Sequence, residues 1–178
     1  LKGKMYVDIE DKDAIAVIDT NTMKMLGKYD ISSKGGGCAG LALDVKNSIL
    51  FASCRDKKNM IILSATDGHI LTDLPIGNGS DGATFNPATM EAFSTQGDGT
   101  LTVVKENSPT SFAVEQTVAT PTGAKVLTLD TKTNHILTIT AEYGPAPAPA
   151  AGATADGRGY RRRGPLVPGS FQILVIGK

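Results

Sequence analysis

The stretch "IAVIDTNTMKMLGKYDI", Ile15 to Ile31, decides the fold when it is set against "MIILSATDGHILTDLPI", Met60 to Ile76. The two align without a gap at an offset of 45. Apolar Ile15, Val17 and Ile18 fall on Met60, Ile62 and Leu63, and Met25, Leu26 and Ile31 fall on Ile70, Leu71 and Ile76. Each copy reads as strand, polar turn, strand. A fixed period of this size points to a repeat architecture.

A second unit recurs three times. "GLALDVKNSILFA" (Gly40 to Ala52) matches "GATFNPATMEAFS" (Gly82 to Ser94) at an offset of 42, and that matches "VLTLDTKTNHILT" (Val126 to Thr138) at an offset of 44. In each, an Asp or Asn (Asp44, Asn86, Asp130) opens the turn between two strands. Such side chains bond their own turn backbone, which explains the recurrence. Interleaving the units gives four strands, A to D, per period.

The chain then reads as blades over about 4–31 (B-C-D), 38–76 (A-B-C-D), 80–118 (A-B-C-D) and 125–178 (A-B, then C). Four-stranded units of this period predict an all-β chain of β-propeller blades, about four blade-equivalents or half a propeller in one domain. Strand A is short, small and apolar, as suits an innermost strand between neighbouring blades. No helical stripe competes.

Composition agrees and narrows the function classes. Eighteen Lys+Arg balance eighteen Asp+Glu in 178 residues, which favours neither nucleic acid nor a charged membrane surface. No run approaches the roughly 20 apolar residues of a spanning helix. There is no G-x-S-x-G elbow, P-loop or H-E-x-x-H. "GNGSDG" (Gly77 to Gly82) leads into a strand and reads as a turn. His69 sits in a C–D turn and His135 at the start of a B strand; two isolated histidines make neither a metal centre nor a proton relay. The expectation is no metal, no cofactor and no catalytic residue.

"GKMYVDIEDKDAIAVIDTNTMKMLGKYDI" resembles the YVTN-type β-propeller repeat, with "MYVDIEDKDAIAVIDTNT" in the place of its Y-V-x-N…V-x-V-I-D-T core. "GPAPAPAAG" and "VPGSFQILVIGK" are similar to the closing blade of the YncE-like proteins of that family. The resemblance spans essentially the whole chain. It implies a propeller of seven or so blades when complete, and a periplasmic or extracellular location. It implies no activity. The length is a departure from the family and matches the C-terminal half of a whole propeller.

The only two cysteines flank the first A–B hairpin. Strand pairing with partner numbers summing to 92 sets Leu43 opposite Ile49, Leu41 opposite Phe51 and Cys38 opposite Cys54. Directly opposed residues on antiparallel strands sit near disulfide separation. The alternative is a pair of reduced, buried thiols acting as small apolar groups. With the export that the resemblance implies, the pair is expected to staple this hairpin.

Propellers take ligands at the channel mouth, where strand A begins and B–C loops gather. The candidates there are Arg55, Asp81, Gln96, Lys125, Glu142 and Tyr143, with Ala39, Asp56 and Asp98 at aligned positions. The competing reading is solvated loop residues that satisfy one another. Residues 144–169 form a Pro/Ala/Gly-rich insertion carrying Arg158, Arg161, Arg162 and Arg163, read as a solvated tether or a dock for an acidic partner.

Three functions remain: a binding or interaction scaffold, which is preferred; a lactonase-like or quinoprotein-like enzyme; and a structural cell-envelope component. Four blades in a row leave two apolar end faces. Either a second copy closes a homodimeric ring, or further N-terminal blades cover them.

Overall fold

The computed structural model describes residues 1–147 and 164–177. They form four antiparallel sheets. Blade 1 holds β1 (Lys4–Ile9), β2 (Ala14–Asp19) and β3 (Met25–Asp30), with a 3-10 turn at Glu10–Lys12. Blade 2 holds β4 (Cys38–Asp44), β5 (Ile49–Cys54), β6 (Asn59–Ser64) and β7 (Ile70–Pro75). Blade 3 holds β8 (Ser80–Asn86), β9 (Glu91–Gln96), β10 (Thr100–Ser108) and β11 (Ser111–Ala119). Blade 4 holds β12 (Val126–Asp130), β13 (His135–Thr140) and β14 (Gln172–Ile176). Each sheet is a meander in chain order. About four propeller blades is the architecture.

The turn residues do what the repeat demanded. Asp44 Oδ1 accepts from Lys46 N at 2.9 Å, Asn86 Oδ1 from Ala88 N at 3.0 Å and Asp130 Oδ1 from Lys132 N at 2.9 Å. One side-chain oxygen thus closes the A–B turn of blades 2, 3 and 4, as an Asx-turn.

Three apolar clusters hold the blades face to face. Between blades 1 and 2 lie Ile15, Ile31, Leu50, Ile61 and Leu63. Tyr6 and Tyr29 both donate their hydroxyls across this junction to Ala65 O, at 2.7 and 3.0 Å. Between blades 2 and 3 lie Ile49, Phe51, Met60, Ile62, Phe85 and Val104. Phe51 stacks on Phe85 with centroids 5.3 Å apart and meets Phe112 edge-on at 6.1 Å. Phe93, Leu101, Val103 and Ile136 fill the junction of blades 3 and 4. Strands β5 and β6 are apolar on both faces because both faces are covered, so their sequences run almost unbroken rather than alternating.

The hairpin register corrects the sequence reading in part. Asp44 pairs with Ile49, Leu43 with Leu50 and Leu41 with Ala52, so the partner numbers sum to 93, not 92. A bulge at Ala39 then returns Cys38 to Cys54. The same irregularity recurs in blade 3, between Ser80 and Gly82. It puts Gly40 and Gly82 where successive innermost strands nearly touch. A Cβ on Gly40 would stand 2.7 Å from the Gly82 carbonyl carbon, and one on Gly82 would stand 2.5 Å from Leu127 Cδ2. Glycine is required there by crowding.

Cys38 and Cys54 form a disulfide, closed across 16 residues of sequence. At the matching positions of blade 3 stand Ser80 and Gln96, also paired but not covalently.

Candidate functional site

The segments that follow the B strands and those that lead into or begin the A strands bring charges from all four blades into one series. Arg55, just after β5, donates from Nη1 to Glu10 Oε1 of blade 1 at 3.0 Å and from Nη2 to Asp81 Oδ1 of blade 3 at 3.3 Å. Asp81 also receives Lys125 Nζ of blade 4 at 3.1 Å. The signs alternate, so every ion in the series has an opposite neighbour. All four side chains keep partial contact with solvent, which makes each pair weak individually. Together they clamp the inner ends of the blades. Sequence reading found Arg55, Asp81 and Lys125 but not Glu10, which sits in a 3-10 turn that has no counterpart in the repeat.

Gln96 stands apart from this group. It is fully buried within blade 3. Its Nε2 donates to Ser94 O at 2.8 Å, and its Oε1 accepts from Thr100 Oγ1 at 3.0 Å and Thr102 Oγ1 at 3.2 Å. The amide is spent on its own sheet.

Lys125, Glu142 and Tyr143 share a concavity of about 920 Å³ beside blade 4. Gly79, Gly97 and the Pro121–Gly123 loop bound it on the blade 3 side. Val126, Ile139 and Phe171 supply apolar wall on the other. The Glu142 backbone N–H is held by Ser170 Oγ at 3.0 Å, and Tyr143 pairs with Leu166 across the base of the insertion. A cation, a carboxylate and two aromatic rings on an apolar floor can hold a polar organic molecule by one end. Arg158, Arg161, Arg162 and Arg163 lie outside the described residues, as do residues 148–163 as a whole.

Two buried carboxyls, Asp8 and Glu106, are likewise absent from the sequence candidates. Asp8 of β1 faces blade 2, with both carboxylate oxygens shielded and without a hydrogen-bond partner among the described residues. Burial, and then the charge of Glu10, push its pKa up to about 7. Glu106 is raised in the same way, by burial, while Asn47 Nδ2 reaches across from blade 2 to its Oε1 at 2.6 Å. Asp19, Asp30, Asp67 and Asp130 are held below the usual carboxylate range, chiefly by hydrogen bonds from turn residues. Among the described residues, no three His, Cys, Asp or Glu side chains gather as metal ligands would. No helix among them is long and apolar enough to cross a membrane.

No protein-family model matches the chain, and no curated protein matches it in sequence. In three dimensions it is similar to Kuenenia stuttgartiensis hydrazine synthase, with a TM-score of 0.69 and 10% identity over 81% of this chain and 40% of that one. A chain of the mitotic checkpoint complex matches with a TM-score of 0.65 and 14% identity, over 76% and 42%. BamB from Moraxella catarrhalis matches with a TM-score of 0.58 and 12% identity, over 78% and 38%. These are β-propeller proteins. At such identities the likeness shows the fold alone. The chain spans about two fifths of the length of these structures.

Proposed function

We propose that the protein is an exported, non-catalytic β-propeller of the YVTN, YncE-like type that serves as a binding scaffold, with its ligand contact at the concavity beside blade 4. The observation that carries the reading is how the rim charges are distributed. Glu10, Arg55, Asp81 and Lys125 neutralise one another in series, which suits a clamp better than a reacting group. The open volume lies where Lys125 meets Glu142, Tyr143 and Phe171, a lining suited to holding a molecule. The ligand class is a small polar organic molecule with an apolar or aromatic portion. The Cys38–Cys54 disulfide supports an oxidising compartment.

A thermal-shift screen of amino acids, short peptides, sugars and aromatic carboxylates tests this. A ligand at 100 times its dissociation constant adds about 2.7 kcal/mol, roughly 5–10 °C in Tm for a chain of this size. The shift should vanish in Tyr143→Ala and persist in Arg55→Ala. A shift that survives Tyr143→Ala and Lys125→Ala combined would move the site elsewhere. Turnover of a lactone or of a quinone-linked substrate by the purified protein would replace the scaffold with an enzyme.

A further inference from the structure

Glu106 occupies a repeat position that blade 2 gives to Ala65. The Glu106 N–H donates to Met90 O at 2.9 Å, as the Ala65 N–H donates to Ser48 O at 2.7 Å, each reaching the A–B turn of its own blade. Ala65 is apolar and fully buried, and Glu106 is only 3% exposed. The packing of a blade therefore asks for no charge here, and burying an ionised carboxylate without full partners is costly. The β10–β11 ladder shifts register between Glu106 and Ser108, a bulge of the kind that re-aims a side chain.

The side chain reaches blade 2. Asn47 Nδ2, in the A–B turn of that blade, donates to Glu106 Oε1 at 2.6 Å. Oε2 is shielded from solvent and meets no hydrogen-bond donor among the described residues. Within hydrogen-bonding reach stands Asp44, itself 1% exposed, which closes the same turn by accepting from Lys46 N at 2.9 Å and Asn47 N at 3.1 Å. An ionised carboxylate only accepts, so two of them in contact leave oxygen facing oxygen. A single proton makes one the donor and the other the acceptor. It also fits a space closed to solvent, where a hydrated cation does not.

The surrounding charges are few. Lys46 lies beyond Asp44 on the same turn. From β11, Phe112 stands opposite Glu106. Glu91 of β9 stands opposite Lys105, on the other face of β10. Burial raises the Glu106 carboxyl above its ordinary value; Asn47 draws it down, the charge and hydrogen bond of Asp44 push it up, and the charge of Lys46 draws it down.

We propose that Asp44 and Glu106 share one proton across the junction of blades 2 and 3, and that this proton latches the A–B turn of one blade to strand C of the next. The latch holds in full below the ordinary glutamate value of 4.5 and is lost as pH rises through the raised value in the folded protein. With the proton gone, two buried negative charges repel and the turn loosens from blade 3. The pair lies at the end of the strands away from the rim, so the proposal needs no ligand in the concavity.

Amide hydrogen exchange at Lys46, Asn47 and Glu106, corrected for the intrinsic effect of pH and taken relative to the amides of β9, reads the latch locally. Between about pH 5 and about pH 9 this relative protection should fall by roughly tenfold or more in the parent. E106Q sets a neutral N–H donor beside Asp44, and its relative protection should stay level. D44N is a second probe, because Asn86 already closes the matching turn of blade 3; it too should stay level. The titration of Asp8 is common to all three proteins and cancels in the comparison. A parent whose relative protection does not change with pH would overturn the proposal. So would a fall of equal size in the parent and both variants, which would assign the change to another group. A fall in the parent that added calcium reverses would make the pair a cation site instead.

Discussion

The junction between blades 2 and 3 and the outer face of blade 4 use the same repeat positions with opposite consequences. Phe51 of β5 corresponds to Phe93 of β9 and to Leu137 of β13, at offsets of 42 and 44. Phe51 has no exposure and two aromatic neighbours, whereas Leu137 is half-buried on a face over which none of the described residues packs. A blade is thus an apolar slab whose stability depends on being covered on both sides. The sharpest way to break the comparison is to truncate both residues. Phe51→Ala should cost about 3–5 kcal/mol in denaturant unfolding, through lost burial and a cavity its neighbours cannot fill. Leu137→Ala should cost about 1 kcal/mol, since only part of its surface leaves contact. Equal costs would mean that blade 4 is as well packed as the interior.

Second in size is the covalent difference between blades 2 and 3. Cys38 and Cys54 tie the start of β4 to the end of β5, while Ser80 and Gln96 hold the same place in blade 3 with hydrogen bonds. Reduction with a phosphine removes the constraint on a loop of about 15 residues, worth about 3 kcal/mol. The midpoint of thermal unfolding should fall by roughly 6–12 °C. An unchanged midpoint would mean that packing alone positions this hairpin.

The repeat was legible because it is local. Offsets of 45, 42 and 44 align apolar residues on apolar residues, and the Asp and Asn turns follow from their own side-chain chemistry. What sequence did not disclose lies between elements. The hairpin register slipped by one because a bulge at Ala39 adds a residue to one strand, and alternation alone cannot see it. Gln96 looked like a rim residue from its place at the end of a B strand, but Thr100 and Thr102 draw its amide into the sheet. Arg55, Asp81 and Lys125 were picked out one by one; that they neutralise each other depends on how blades abut.

At the blade 1–blade 2 junction both oxygens of the Asp8 carboxylate lack a hydrogen-bond partner among the described residues, whereas Glu106 at the next junction takes Asn47 Nδ2 on Oε1, and pH sharpens that contrast. The folded Asp8 carboxyl binds its proton up to about pH 7, while in the unfolded chain it titrates near 3.8. Its stabilising contribution is therefore full below pH 4 and is lost as pH rises to about 7, with at most about 4 kcal/mol involved. Asp8→Asn removes the charge that must otherwise be buried. At pH 8 the variant should be more stable than the parent by about 2 kcal/mol, and at pH 4 the two should be nearly equal. A parent whose stability does not decline over this interval would place water or a cation beside Asp8.

The smallest effect belongs to the rim. Asp81 joins Arg55 and Lys125 across the blade 2–3 and blade 3–4 junctions, so Asp81→Asn weakens two contacts at once. Both are partly solvated, and pairs of this kind contribute well under 1 kcal/mol each. The loss should be below about 1 kcal/mol in low salt and should vanish near 1 M salt, where screening acts over about 3 Å. The apolar junctions, unlike the rim, should hold at that salt concentration. A ligand contact would behave differently. If Asp81 touches the bound molecule, Asp81→Asn will abolish the ligand-induced rise in Tm while leaving the unliganded protein almost unchanged. If it serves only the clamp, the ligand response will persist and the small salt-dependent loss will be the whole effect.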